Sequence, residues 1–577
     1  MKWLLYGMVF LVGACVLILE ILGTYLLAPF FGTSLYVWSS LITTTLIFLS
    51  IGYGAGGYLA DRLCKPSSPQ PYTGLIILLA FGGITTGMIP FLREWVFRWT
   101  FSYGIEKGSL FAAAILFSFP MITLGMITPY TLKLLNQTLE HTGRTAGSLF
   151  FYSTVGSVLG SLSVVHFLLP RLETASIVFL VAFTLIALAC LLSLLKKRAY
   201  GSFTVLLGSF VLFYALPSSV PQEITEHKIA SSGKPVDIVW KPLTQTTSFY
   251  GQIQVWDRIE YGCANPEICR VKNRNTKALE ERRPPKEHTR LLLVNNQIQS
   301  GMNWKKRNEP ESYPAGFHYT RFLYPEAKSA LCIGVAGGVF IKFLLQMGFE
   351  VDAVEIDPSF VAIAHDYFEV PQSSQLHFFI EDGRTFLERT SKEYDVIFLD
   401  AFTNYTVPPH LCTQEFFRRV HQKLHPKGVF AMNVTCFADG DGQKTWMSVA
   451  STLASVFGKE KMAVYVFLGE YQSSDEHFRQ TGNYVYFATK GEFLPKPLPL
   501  EDGKPPLTVE TPLSTVESPY YRSVLASLQT LLKNPCAWIS LPLLTDEWNP
   551  VEYWQKEANH LFRQDFLNLF LPSQWKF

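Results

Sequence analysis

The sequence has 577 residues, 48% of them hydrophobic, and a formal net charge of +2. This near-neutral balance argues against a protein that binds nucleic acid through a strongly basic domain. The nine cysteines form no CxxC pair and no Cys/His cluster with zinc spacing, so the sequence predicts no metal site. The length predicts two or three domains.

The first 216 residues consist of apolar blocks with few charges between them. A bilayer core needs roughly 20 apolar helical residues, and the blocks are about that long. The sequence therefore predicts an α-helical transmembrane bundle over residues 1–216. We assign about seven segments, at residues 3–29, 36–59, 72–92, 109–132, 146–169, 174–195 and 200–216. Glycines in the second and fifth segments predict close helix packing.

Two features of these segments are unusual. Glu20 lies in the middle of the first segment, where a charge is costly. It is either a substrate or proton site or a structural, hydrogen-bonded carboxyl, and the sequence favours neither. The fourth segment contains Pro120, Gly125 and Pro129. These residues predict a kinked or re-entrant segment there.

The composition becomes that of a globular protein after residue 217. Residues 217–300 predict a linker and a small β section, interrupted by a charged insertion at 257–290. Between residues 301 and 492, strand and helix signals alternate, which indicates an α/β domain with a parallel sheet covered on both faces by helices. Residues 493–577 comprise a Pro-rich linker and a C-terminal tail.

Candidate site residues follow the strands of this α/β domain. Ligands of doubly wound sheets bind beyond the carboxyl ends of the strands. Gly334, Gly337 and Gly338 follow the first strand, and glycines let a ligand approach the backbone. Glu355 ends the second strand and suits two ribose hydroxyls, and Asp382 follows the third, where it can accept an adenine amino proton. Asp400 follows the fourth strand, at the mouth of the predicted site.

The motifs ALCIGVAGG, VDAVEID, EDGRTFL and YDVIFLDAFT resemble the class I S-adenosylmethionine-dependent transferase (Rossmann-like) fold, in its spermidine-synthase-like branch. Residues 544–551 (LTDEWNPV) and the opening LEILGTYLLAPFFGTSLYVW are similar to members fused to a multi-spanning membrane domain. The resemblance implies S-adenosylmethionine or its decarboxylated form as cosubstrate, and no metal.

The resemblance also implies roles for individual residues. Gly334, Gly337 and Gly338 would line the sulfonium nucleoside, Glu355 would hold its ribose, and Asp382 with Gly383 its adenine. Asp400 would be the catalytic residue that receives a proton from the attacking amine. The remaining candidates belong to the acceptor side of the site: Gln252, Gln299, His318, Tyr319, Asp546 and Glu547.

Three departures from the family pattern lie on the acceptor side. Ala336 and Thr403 stand where spermidine synthases have Asp, and a Tyr-His-Glu motif is reduced to His318-Tyr319-Thr320. The carboxylates that would hold a polyamine are therefore missing. The acceptor is thus either a different amine or a membrane-associated molecule, and the transferred group is either aminopropyl or methyl. A transporter with a sensing domain and a degenerate structural protein are the alternatives.

The topology prediction contains a conflict. Positive residues favour a cytoplasmic N-terminus, so seven spans would place the soluble domain outside the cell. Because the cosubstrate implied by the resemblance is made in the cytoplasm, we expect that one segment, the fourth or the seventh, does not cross. We therefore expect a multi-pass protein of the inner cell membrane with a cytoplasmic soluble domain. The expected partners are the bilayer and the acceptor, with no nucleic acid, and a homodimer is left open.

Overall fold

The computed structural model describes residues 2–32, 34–64, 71–101, 103–135, 142–169, 171–196, 223–229, 235–248, 250–262, 285–305, 317, 320, 323–402, 406–437, 440–468, 481–492, 543–547, 549 and 551–555. The chain divides into two compact units. The first comprises Met1–Pro221 with Gln245–Ile253, and the second comprises Gln222–Thr244 with Gln254–Phe577.

The first unit is helical. Six of its helices are long and apolar enough to cross a membrane. They are α1 (Lys2–Phe31), α2 (Leu35–Leu63), α3 (Thr73–Phe101), α4 (Gly104–Leu135), α5 (Thr142–Ser163) and α6 (Thr174–Leu195), and α5 continues into a π-helical turn at Val164–Leu168. The first six predicted segments are each matched by one of these helices. The seventh, at residues 200–216, lies outside the described residues.

Small residues allow two helix pairs to pack closely, α1 with α5 and α2 with α4. A Cβ added to Gly156 would lie 1.9 Å from the backbone oxygen of Phe10, and one added to Gly52 would lie 2.3 Å from that of Ile122. The predicted packing role is therefore confirmed for these two glycines. Gly54 has nothing within 4 Å of such a Cβ, so it has no close contact of this kind.

Of the two alternatives predicted for the fourth segment, the re-entrant one is wrong and the kinked helix stays a prediction. The helix α4 runs without a break through Pro120 and Pro129 over 32 residues. It packs against α1, α2, α3 and α5. Neighbouring helices of this kind support a helix across a proline, because they help to satisfy the backbone groups that the proline frees.

A five-stranded sheet has the order β1-β2-β3-β4-β5. Its strands are β1 (Ile224–Ile229), β2 (Pro235–Ser248), β3 (Gly251–Gly262), β4 (Glu287–Val294) and β5 (Gln297–Asn303). The last two form a hairpin whose turn residues, Asn295 and Asn296, have φ of 49° and 61°. Asn tolerates this left-handed conformation better than most residues, so Asn-Asn suits a two-residue hairpin turn. The predicted small β section is thus present, but β3 and β4 extend into the insertion predicted at 257–290, of which residues 263–284 lie outside the described residues.

The second sheet carries the candidate site. Its seven strands have the order β11-β12-β10-β9-β6-β7-β8, with β6 to β10 parallel and β11 and β12 antiparallel to their neighbours. They are β6 (Ser329–Ile333), β7 (Glu350–Glu355), β8 (Leu376–Ile380), β9 (Tyr394–Leu399), β10 (Leu424–Phe437), β11 (Met462–Leu468) and β12 (Thr481–Thr489).

Helices cover both faces of this sheet. They are α7 (Val339–Gln346), α8 (Pro358–Phe368), α9 (Gly383–Arg389), α10 (Gln414–Lys423), α11 (Gly440–Phe457) and α12 (Val551–Trp554). One hydrophobic core joins β-strand residues to α9, α10 and α11, and another joins the opposite face to α7 and α8. The predicted α/β fold is therefore confirmed.

Candidate active site

The candidate site lies at the carboxyl edge of the parallel strands. In the register of the sheet, Ile333 of β6 pairs with both Val354 of β7 and Leu399 of β9, and Glu355 pairs with Ile380 of β8. The four strands therefore end at the same level. This alignment brings the predicted glycine loop and the three predicted acidic residues to one edge, as the strand-end argument requires.

The first position of the glycine loop has a conformation and surroundings that only glycine allows. Gly334 has φ +96°, and a Cβ there would lie 2.5 Å from the carbonyl oxygen of Asp400. The loop thus passes directly over the end of β9. The other two glycines are explained by packing, because a Cβ on Gly337 would meet Ser300 at 2.7 Å and one on Gly338 would meet Val370 at 2.6 Å. Their predicted contact with a nucleoside stays a prediction.

The Glu355 carboxylate is buried and holds the glycine loop. Its Oε2 accepts the amide of Val335 at 2.9 Å, and its Oε1 accepts the amides of Ile356 and Asp357 at 2.8 and 3.1 Å. Burial outweighs these donors, so the pKa of Glu355 is raised above its ordinary value. A carboxylate has about four acceptor positions. One remains, on Oε2, which fits one ribose hydroxyl rather than the two that the sequence analysis assigned.

Asp382 begins α9 and is also paired with a histidine. Its Oδ1 accepts the amides of Arg384 and Thr385 at 3.0 Å each, and its Oδ2 lies 2.8 Å from Nε2 of His410. Because a carboxylate only accepts, that nitrogen carries the proton. This bond lowers the pKa of Asp382 to about 2. Oδ2 retains one acceptor position, which suits an adenine amino group.

The close packing of α9 on β6 explains why residue 383 is a glycine. A Cβ at this position would lie 2.3 Å from Cγ2 of Ile333, so α9 packs directly on β6. Only a residue without a side chain allows this approach.

Asp400 is half-buried and follows β9. Its amide donates to the carbonyl of Ile333 at 3.0 Å, which fixes the backbone at the end of the strand. Its Oδ1 accepts a hydrogen bond from Nδ2 of Asn433, on the neighbouring strand β10, at 3.3 Å. The position predicted for the catalytic carboxylate is thus anchored on both its backbone and its side chain.

The C-terminal tail contacts this edge of the sheet through residues 544–555. Asp546 forms a two-pronged ion pair with Arg384, with N–O distances of 2.6 and 2.5 Å. Asn549 donates to the carbonyl of Pro409 at 2.7 Å, and Leu544 donates to Thr452 at 2.9 Å. Each oxygen of Asp546 accepts one hydrogen bond from this guanidinium and keeps a further acceptor position. The predicted contact of Asp546 with the acceptor stays a prediction.

The other acceptor-side candidates are less informative. Gln299 is half-buried in β5, directly before Ser300, which contacts the glycine loop. Glu547 is exposed in the tail, and Gln252 is half-buried in β3. His318, Tyr319 and Thr403 lie outside the described residues. Glu20 is half-buried in α1, in the first unit.

Three side chains that contact predicted site residues were not predicted from the sequence: Arg384, His410 and Asn433. Asn433 had a visible signal, because it is a polar residue inside the apolar stretch 429–434. Arg384 stands in the quoted EDGR motif, but nothing there indicates its partner in the tail. His410 follows two prolines, and no local pattern marks it.

Among the described residues, one group of side chains has a spacing compatible with a metal ion: Glu350, Asp352 and His377. It lies at the opposite, amino edge of the sheet. Nζ of Lys392 lies 2.9 Å from Glu350 and 3.1 Å from Asp352. One lysine ammonium thus already balances part of the negative charge of these two carboxylates.

Comparisons with known proteins agree with this architecture. Residues 317–474 match the family described as spermine/spermidine synthase domain. A probable polyamine aminopropyl transferase of Bifidobacterium longum is 34% identical over 138 residues, which cover 24% of this chain and 30% of that protein. A polyamine aminopropyltransferase of Vibrio vulnificus is 33% identical over 162 residues, which cover 26% of this chain and 52% of the relative.

A methyltransferase is also similar. An N-terminal histidine N-methyltransferase of Emericella nidulans is 36% identical over 110 residues, which cover 18% of this chain and 19% of that protein. The matches span about half, or less, of the length of these three relatives. All three are transferases, so the transporter interpretation has no support among them.

Proposed function

Because residues 317–474 carry a spermine/spermidine synthase domain, we propose that this protein is a membrane-bound transferase of the aminopropyltransferase type. Its cosubstrate is S-adenosylmethionine or the decarboxylated form, and its acceptor is an amine. One observation carries the proposal: Glu355, Asp382 and Asp400 follow the parallel strands β7, β8 and β9 and lie at one edge of the sheet, as a bound nucleoside and an attacking amine require.

Two carboxylates at this edge bind different parts of the nucleoside. Glu355 offers its remaining acceptor position to a ribose hydroxyl, and Asp382 offers its own to the adenine amino group. Both carboxylates are held by backbone amides. Such preorganised groups bind without losing further side-chain freedom, so they orient the nucleoside at little entropic cost.

Asp400 acts on the acceptor. The sulfonium provides the leaving group: the amine nitrogen forms a bond to the carbon beside the sulfur, and the carbon–sulfur electron pair stays with a neutral thioether. Asp400 aligns the uncharged amine and accepts the proton that the new ammonium loses. Positioning of the two reactants contributes most of the remaining rate enhancement.

Methyl transfer is the second candidate reaction. The similarity to an N-methyltransferase favours it. Asp400 would serve such a reaction in the same way, by accepting the proton of an amine that attacks a methyl group. Ala336 favours it as well, because this loop position lacks the carboxylate by which spermidine synthases hold the aminopropyl amine. Product masses separate the two reactions, because the acceptor gains either an aminopropyl or a methyl group.

Replacing Glu355 with Ala should weaken nucleoside binding by about 1–3 kcal/mol, the cost of leaving polar groups unpaired. This corresponds to a roughly 5- to 150-fold higher Kd. The measurement is calorimetric titration of the purified full chain in detergent with S-adenosylmethionine, its decarboxylated form and methylthioadenosine.

The chain offers a matched control for this titration. Glu350 lies on the same strand at the opposite edge and is exposed. Glu350→Ala should bind the nucleosides as the wild type does. Equal affinity of Glu355→Ala and wild type would place the ribose elsewhere. Binding of none of the three nucleosides would contradict the proposed function itself.

We also propose that the transferase unit faces the cytoplasm. Six spanning helices return the chain to the side of its N-terminus. The proposal therefore requires that residues 197–222 do not cross the bilayer. It agrees with the cytoplasmic supply of the cosubstrate that the proposed reaction needs.

Thiol labelling of intact cells tests this topology. In a chain with Cys263 and Cys269 changed to Ser, the exposed residue Glu393 is replaced by Cys. A membrane-impermeant reagent should label Glu393→Cys only after permeabilisation. Lys107→Cys, between α3 and the body of α4, should be labelled without it. Labelling of Glu393→Cys in intact cells would reverse the assignment.

A further inference from the structure

Asn433 occupies an unusual place in the sheet. It lies on β10 next to β9, one residue beyond Met432, which pairs with Leu399. Only 1% of its surface is exposed. Ala431, two residues earlier on the same face of β10, belongs to a hydrophobic core. An amide side chain in this setting must either find partners or lower the stability of the fold.

The amide nitrogen of Asn433 has two partners. Nδ2 donates to Oδ1 of Asp400 at 3.3 Å and to Oδ1 of Asn483 at 3.1 Å. The orientation of the amide follows from chemistry, because a carboxylate accepts hydrogen bonds and cannot donate them. Thr435 also donates to Oδ1 of Asn483, at 2.8 Å. Asn483 is thereby held in place, and it in turn fixes Asn433.

The amide oxygen of Asn433 differs from the amide nitrogen in its hydrogen bonding. It is buried, and among the described residues it has no hydrogen-bond partner. A buried carbonyl oxygen without a partner destabilises the folded state, and an apolar residue of the same shape avoids this cost. The unpaired oxygen therefore offsets part of the stability that the two donated hydrogen bonds contribute. What the side chain provides is a hydrogen bond to Asp400.

We infer that Asn433 is a positioning residue for Asp400, and this inference rests on the proposed function. Its N–H aims the carboxylate toward the incoming amine. A donated hydrogen bond also favours the charged form of a carboxylate. The hydrogen bond from Asn433 therefore favours the ionised form of Asp400, which is the form that accepts a proton.

Two variants of similar size separate this role from a structural one. Asn433→Leu removes both the donor and the unpaired oxygen. Asn433→Asp replaces the donor with a second carboxylate beside the first, and two such groups share a proton. Ser448→Ala is the control, because it removes a buried hydroxyl on α11 that has no partner among the described residues.

Asn433→Leu should melt close to the wild-type temperature, because it loses two hydrogen bonds and one unpaired oxygen together. It should bind the nucleoside within about twofold, while turnover falls about tenfold or more, as for a lost hydrogen bond to a charged group. The acidic limb of the pH–rate profile should move upward by about 0.5–1 unit because Asp400 loses a donor to its charged form. Asn433→Asp should move it further. Ser448→Ala should leave both turnover and the limb unchanged.

An infrared titration follows the protonation of Asp400 without any turnover. The carboxyl band is assigned by its loss in Asp400→Asn, and its midpoint should rise in the order wild type, Asn433→Leu, Asn433→Asp. An unchanged midpoint in both variants would overturn the inference, whatever the activity. A shifted midpoint in a protein that transfers nothing would support the inference and refute the proposed function.

Discussion

Asp400→Asn should lower turnover at least about a hundredfold, the usual contribution of a positioned proton acceptor. Asn has nearly the shape of Asp but cannot accept the proton of the product ammonium. The backbone anchor of residue 400 on Ile333 is unaffected by this change. Nucleoside affinity should therefore stay within about twofold of wild type, because Glu355 and Asp382 keep their own backbone donors.

Single-turnover kinetics with saturating cosubstrate isolates this effect from binding. Glu393→Gln is the matched control, since it makes the same change of carboxylate to amide at an exposed residue just before β9. It should react as the wild type does. A variant Asp400→Asn that retains most of its single-turnover rate would mean that another group, or the solvent, accepts the proton.

The sequence predicts the carboxyl edge of the site well for a physical reason. Parallel strands end at one edge, so residues that follow successive strands in the sequence become neighbours in space. Gly334, Glu355, Asp382 and Asp400 all follow this rule. The apolar helices were also predictable, because a helix long and apolar enough to cross a bilayer is visible in the length and composition of one local stretch of sequence.

What the sequence does not predict depends on contacts between distant residues. Arg384 and Asp546 are 162 positions apart, and no local pattern links them. The number of acceptor positions left on Glu355 also depends on the fold of the glycine loop, which supplies the amide of Val335. The re-entrant alternative for α4 was wrong because lateral packing, rather than local propensity, maintains that helix through its two prolines.

The glycines show that one pattern can have two causes. The motif at residues 334–338 was interpreted as a ligand-binding loop. Gly334 supports that interpretation in part, since the loop crosses the end of β9 beside Asp400. Gly337 and Gly338 are required in any case by contacts with Ser300 and Val370. Their presence therefore does not by itself indicate a bound nucleoside.

The acceptor side is the part of this site that differs most from the sequence pattern of the spermidine synthases. A diamine such as putrescine carries two positive charges, and one of them must stay charged while the other nitrogen reacts. A buried ammonium without an anionic partner is costly. Of the carboxylates described at this edge, Glu355 and Asp382 are held by backbone amides, and Asp546 is paired with Arg384. Asp400 is needed for the reacting nitrogen.

We therefore expect turnover of putrescine to be about a hundredfold slower, in kcat/KM, than that of butylamine, which corresponds to about 2.7 kcal/mol. The two amines have the same four-carbon chain and differ only in the distal ammonium, so the comparison isolates its cost. Mass spectrometry of the products with each cosubstrate measures both rates. Glu547, exposed in the tail, is one of the described candidates to pair with that ammonium. Faster reaction of putrescine, lost in Glu547→Gln, would show that the tail replaces the carboxylates absent at Ala336 and Thr403.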